Sequence, residues 1–209
     1  MSLILNKITN MKLQLNLAFV LLFSMLYLGS CAQGADNSAE QIGAAVMAIP
    51  ENLRDGAKVL GFDAKGEMVT LREGTNNMIC LADDPNKKGF NVACYHVDLE
   101  PFMARGRALK AEGKKHEEIF ATREAEAKAG VLKMPENPST LHILSGTEGK
   151  YDAATNTVTG ANYRSVVYIA FATAESTGLP LEPQVPGGPW IMDPGTHRAH
   201  IMITPPPTN

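Results

Sequence analysis

A run of 12 residues from Leu17 to Leu28, apolar but for Ser24, decides how much of this chain is free to fold. It follows Lys12 and is closed by two small residues, Gly29 and Ser30. A basic start, an apolar centre of about 7–15 residues and small residues at the cut make a secretory signal. The centre falls short of the roughly 20 residues that cross a bilayer, which weighs against the alternative of an N-terminal membrane anchor. Met11-Lys12 reads as an ordinary start, so Met1 to Asn10 adds nothing to the signal. Residues 1–30 are set aside as an address, leaving 179 of 209 residues to build the fold. That length suits one domain with a real core. Losing Lys7 and Lys12 moves the formal charge from −3 to −5. A mildly acidic surface gives no support to nucleic-acid binding.

The residues at the end of the run, Leu28-Gly29-Ser30-Cys31, resemble the lipobox of bacterial lipoproteins. The resemblance implies a lipid on the Cys31 sulfur, cleavage between Ser30 and Cys31, and a membrane partner reached through that lipid. A plain signal peptide is the alternative, and it would leave Cys31 as an odd thiol in an oxidising compartment. Ala32 stands where some lipoproteins carry the aspartate that retains them at the inner membrane. The expected location is therefore the cell envelope, on the outer membrane and facing the periplasm. With Cys31 lipidated, Cys80 and Cys94 remain as a pair. In an exported chain such a pair is expected to form a disulfide, closing a loop of about 15 residues and adding roughly 3 kcal/mol in the chain-entropy model. A thiol metal site competes, but no CxxC spacing supports it.

From Cys31 onward the expected order is as follows. Residues 31–37 are a small, polar tether. Ser38 and Gln41 have the form of a capping box, and Ile42, Ala45, Val46 and Ile49 share a helical face that Pro50 terminates. Strands are expected at 57–62, 68–72 and 78–82, followed by a polar loop at 83–89. Asp98 should cap a helix over 99–112, with Pro101 in its first turn. A second helix runs over 116–129, its charged residues a solvated face. A strand at 139–145 leads into a Gly- and Thr-rich hairpin or loop at 146–162. Residues 163–173 carry apolar residues on both parities and read as a strand covered on both faces. A proline-rich crossing at 179–189 precedes short strands at 190–192 and 199–203, and 205–209 is a loose tail. The expected fold is α+β, one domain over 38–204. Its mostly antiparallel sheet has five or six strands, with helices on one face. PAS-like domains share the element order, as an analogy only.

Three further stretches, Arg54-Asp-Gly-Ala57, Leu71-Arg-Glu-Gly-Thr-Asn76 with Cys80, and Gly187-Gly-Pro-Trp-Ile-Met192 … Gly195-Thr196 … Ala199-His-Ile-Met202, resemble an uncharacterised group of exported bacterial proteins. His197-Arg198 departs from that pattern, where a proline and an aromatic are expected. The resemblance implies export and one compact domain, and no mechanism.

Chemistry is sparsely marked. No GxSxG, HExxH, P-loop or GxGxxG motif appears, and no cofactor is expected. His197 and His200 are three apart and precede a strand pattern, so they face opposite ways unless a turn intervenes. His142 and His200 sit in apolar strand patterns, where a histidine is most simply structural. Should their strands be neighbours, the two could meet on one face and form a site. The candidate pocket is therefore Tyr95, His142, Trp190 and His200. Two readings compete: a non-enzymatic binding or scaffold lipoprotein, and a small envelope enzyme or metal-binding protein using His142 or His200. The absence of a nucleophile or metal motif favours the first.

Overall fold

The computed structural model describes residues 29–206, with side chains from residue 37 onward. The apolar centre of the expected signal falls on residues 1–28, outside the described residues, as do 207–209 of the expected tail. The Cys31 side chain is also outside the described part. The chain divides at Ala39, with residues 40–209 forming one unit.

The first described element is α1, Gly29–Ala45, continued by a 3-10 turn over Val46–Ala48. The helix thus starts well before Ser38, and residues 31–37, expected as a tether, are helical. Small residues at Ala32, Ala35 and Ala39 leave nothing there that breaks a helix except Gly34, whose cost is only about 1 kcal/mol. Pro50 ends the run as expected, as the N-cap of the short α2, Glu51–Arg54.

The strands follow: β1 Lys58–Phe62, β2 Met68–Arg72, β3 Met78–Leu81 and β4 Phe90–His96. Two helices come next, α3 Glu100–Ala111 and α4 His116–Lys128. Then come β5 Ser139–Gly146, β6 Lys150–Asp152, β7 Thr157–Thr159 and β8 Asn162–Tyr168. The short α5, Ala174–Thr177, precedes β9 Trp190–Met192 and β10 His200–Ile203. Among the described residues no helix is long and apolar enough to cross a membrane.

The main sheet has eight strands in the order β2-β1-β3-β4-β5-β8-β10-β9. All neighbours are antiparallel except β1 and β3. The α+β class and the antiparallel bias stand as expected. The count of five or six strands does not: the short terminal strands β9 and β10 both join the sheet, and β4 lies at its centre where no strand was expected. Phe90, Val92 and Cys94 are buried on one face of β4 and Tyr95 on the other, so both its faces are covered and simple alternation is lost. The segment 146–162 is a hairpin, β6 paired with β7, separate from the main sheet. The strand expected over 163–173 stops at Tyr168. Phe171 takes a left-handed φ of 63°, and its N–H bonds to Thr196 O at 2.7 Å, turning the chain out of the sheet.

Helices cover both faces, not one. On the first face the end of α1 and its 3-10 turn, Ala44 to Ile49, pack on Val59, Cys80, Val92 and Cys94, with Tyr151 and Val158 of the hairpin at the edge. This approach needs Gly61. A Cβ there would lie 2.3 Å from Leu71 Cδ1 and 2.6 Å from Gln41 Oε1. Gln41 uses the space to bracket the Phe62 backbone, accepting from its N–H at 2.8 Å and donating to its carbonyl at 3.0 Å. On the second face Leu99, Phe102 and Leu132 pack on Ile79, Tyr95, Leu141, Val166 and Tyr168. The expected cap Asp98 lies in a 3-10 turn over Val97–Leu99, and the His96 ring takes the capping role by accepting from Asp98 N–H.

Candidate binding cleft

Cys80 and Cys94 stand opposite each other in the β3–β4 register, both fully buried, and their sulfurs are joined at 2.08 Å. The expected disulfide is present. It ties together the two strands that lead into the polar loop at 83–89.

The second face of the sheet is only partly roofed. Phe102 packs over the sheet centre with Tyr95, Leu141 and Tyr168, and Leu109 is buried on the same helix. Toward the β2 edge, residues on the same face have less above them. Phe62, Met68, Leu81 and Ala93 share that face by register, because Phe62 opposes Met68 and Leu81 opposes Ala93. These four form the apolar floor of a cleft of about 590 Å³. That volume is in the range of small-molecule sites. Its far wall is the C-terminal half of α3, with Arg107, Lys110 and Ala111. Its mouth carries Glu67, Asp83, Asp84 and Lys87 from the two flanking loops.

The polar groups around the cleft are unevenly paired. Lys87 bonds to Asp84 at 3.2 Å. Asp83 accepts from the Asn91 N–H at 3.0 Å, and burial raises its pKa. Arg107 is held from behind. Its Nη2 donates to Glu100 Oε1 at 2.6 Å and its Nη1 to Tyr95 Oη at 3.0 Å, while Tyr95 Oη donates to Glu100 Oε2 at 2.5 Å. Burial, with the Glu100 bond, raises the Tyr95 pKa, so this hydroxyl stays a donor. Lys110 lies beside Lys87, and that contact, with partial burial, lowers its pKa.

The four residues picked from the sequence do not meet. Tyr95 is fully buried beneath α3 and reaches the cleft only through Arg107. His142 opposes Cys94 and Ser165 in register and so points to the first face, where its Nδ1 lies 2.6 Å from Tyr163 Oη. His200 opposes Tyr168 and therefore points to the second face, with Nδ1–H donating to Arg198 O at 2.6 Å. Strand β8 separates the two histidine strands. Trp190 is half-buried on the edge strand β9, opposite Met202, at the far end of the sheet from the cleft. The terminal strands are thus built into the sheet but do not border this cleft.

A second polar cluster lies where the sequence pattern departed from expectation. His197 is fully buried between Phe102 and Phe120. Glu124 Oε2 accepts from its backbone N–H at 2.7 Å and from its Nδ1–H at 2.6 Å. Burial opposes ionisation of Glu124, but bonds from Lys128 and from the His197 backbone and ring outweigh it and bring its pKa down to about 2. Nε2 of His197 has no partner. With aromatic rings around it and no exposure, the pair is a structural tie between α4 and the turn before β10. Among the described residues no group of three or more His, Cys, Asp or Glu side chains could hold a metal ion.

The cleft residues carried no motif. Lys110 and Arg107 lie three apart, as do Arg107 and Ala104, a spacing that shares a helix face. Only the fold reveals that this face looks onto bare sheet. No family model, curated protein or solved structure matches this chain.

Proposed function

We propose that this chain is a lipid-anchored protein of the bacterial cell envelope, and that its domain is a binding module for a small, partly apolar molecule. The observation that carries the binding role is the cleft of about 590 Å³, floored by Phe62, Met68, Leu81 and Ala93 and walled by α3. No serine, cysteine or histidine lines it, so it offers no hydroxyl or thiol nucleophile and no imidazole base. A binding role fits that lining better than catalysis does.

The anchor rests on the sequence: the apolar run to Leu28, then Gly29-Ser30-Cys31. A buried cross-strand disulfide suits an exported chain, since such bonds persist in oxidising compartments. The lipid on Cys31 would hold the domain at the outer membrane, on its periplasmic side.

The neutral fluorescent probe N-phenylnaphthylamine tests the cleft. It should bind the folded domain with saturable fluorescence. Ala111 is exposed on α3 and lines the cleft, so Ala111→Trp should block the probe and leave the melting temperature nearly unchanged. Absence of saturable binding, or binding that survives Ala111→Trp, would overturn the reading.

A further inference from the structure

The cations of the cleft are arranged on one side of it. Arg107 and Lys110 project from the same wall, and Lys87 reaches across from the β3–β4 loop to lie beside Lys110. Lys87 has Asp84 as partner at 3.2 Å. Among the described residues Lys110 has no carboxylate at ion-pair distance; its close neighbour is Lys87, and Asp84 attracts it from beyond that distance. Two ammonium groups side by side repel, and a shared anion between them relieves that repulsion. Arg107 is fixed, not free. Glu100 and Tyr95 each take a single N–H of its guanidinium, which leaves further N–H donors on a residue that lines the cleft. A guanidinium so held loses little side-chain entropy when it grips a ligand.

The carboxylates at the mouth do not cancel this. Asp84 is engaged with Lys87, Asp83 is turned to the Asn91 N–H, and Glu67 lies across the floor on the β1–β2 turn. The α3 wall itself is cationic, and the floor beneath is apolar.

Resting on the binding role argued above, we infer that Lys87, Arg107 and Lys110 form an anion clamp, so that the ligand is a small amphipathic anion. Its head, a carboxylate or a group of like charge, sits between the two lysines and Arg107. Its apolar body lies on Phe62, Met68, Leu81 and Ala93. Tyr95 and Glu100 act as positioning residues that hold Arg107 in place.

The test compares two ligands with the same chain and different heads, decanoate and decanol, each displacing N-phenylnaphthylamine from the full domain in low-salt buffer. Decanoate should displace the probe roughly tenfold more effectively, the size of effect a charge-assisted contact supports. In the Lys87→Met, Lys110→Met double variant the preference should fall severalfold, toward what Arg107 alone supports, while the probe still binds. Both lysines are on the surface, so the variant should fold. Equal displacement by the two ligands, or a preference unchanged in the double variant, would overturn the clamp. Either result leaves the cleft itself standing, because the neutral probe reports it separately. Tyr95→Phe adds a third arm. It should weaken decanoate more than decanol, and weakening both alike would show Tyr95 to be merely structural.

Discussion

His197 and Glu124 show how much a single buried contact can carry. The Glu124 carboxylate satisfies two N–H groups of one residue from a helix more than seventy positions away. Glu124→Ala would leave the buried Nδ1–H and backbone N–H without an acceptor, at a cost of about 1–3 kcal/mol each. The expected result is an unfolding free energy lower by about 2 kcal/mol or more, seen in a urea titration as a clearly lower midpoint. The burial of His197 sets a pH dependence, outweighing the Glu124 bond that favours the charged ring. Burial lowers the pKa of His197, and likewise of His142 and His200. Below their ordinary pKa of 6.5 the unfolded chain takes up protons that the folded chain refuses. Stability from these groups is therefore complete above pH 6.5 and is lost as pH falls through their folded values. Glu124 adds a second, lower limb, complete above pH 4.5 and lost as pH falls toward about 2. Urea midpoints measured from pH 8 to pH 5 should fall. A flat profile would contradict the burial of the three rings as neutral groups.

Among the elements, β3 and β4 are the pair on which both the core and the cleft depend. Their disulfide should contribute about 3 kcal/mol by restricting the unfolded chain, because the closed loop is about 15 residues long. Cys80→Ala with Cys94→Ala should lower the unfolding free energy by about that amount, checked by urea titration of the two proteins side by side. Gly61→Ala makes a separate demand. Its new methyl would meet Leu71 and Gln41, so it should cost about 1–3 kcal/mol as overpacking, seen as a lower melting temperature. These elements also mark what the sequence could tell. Helix α4 was legible from its charge pattern, and the Cys80–Cys94 link from the cysteines left over. Strand β4 was not, because the alternation of Phe90, Val92 and Cys94 is short and is broken where Tyr95 is buried on the other face. The cleft was not legible either. Lys110 reads as an ordinary solvated lysine until the helix that carries it is seen to stand over Leu81 and Ala93. His142 and His200 looked alike in their apolar strands, and only the register shows that they point to opposite faces.

For the whole molecule, the order of strands makes the C-terminus indispensable. β10 lies between β8 and β9, so the last strand in sequence is inside the sheet and β9 forms its edge. Ile191, Ala199 and His200 are buried there, and His197 locks the approach to β10 against α4. Truncation before Gly187 would remove two strands and bare the side of β8 that carries Val166 and Tyr168. It would also delete the ring packed between Phe102 and Phe120. Such a chain should lose its cooperative melting transition and bind exposed-core dyes. Truncation after Thr204 removes Pro205 and Pro206, which are exposed and outside the sheet, together with residues 207–209. That chain should melt within about 0.5 kcal/mol of the full-length protein, as surface changes ordinarily do. A cooperative transition retained after loss of residues 187–209 would mean that the seven-residue strand β8 tolerates an open edge, and that the sheet closes without its last two strands.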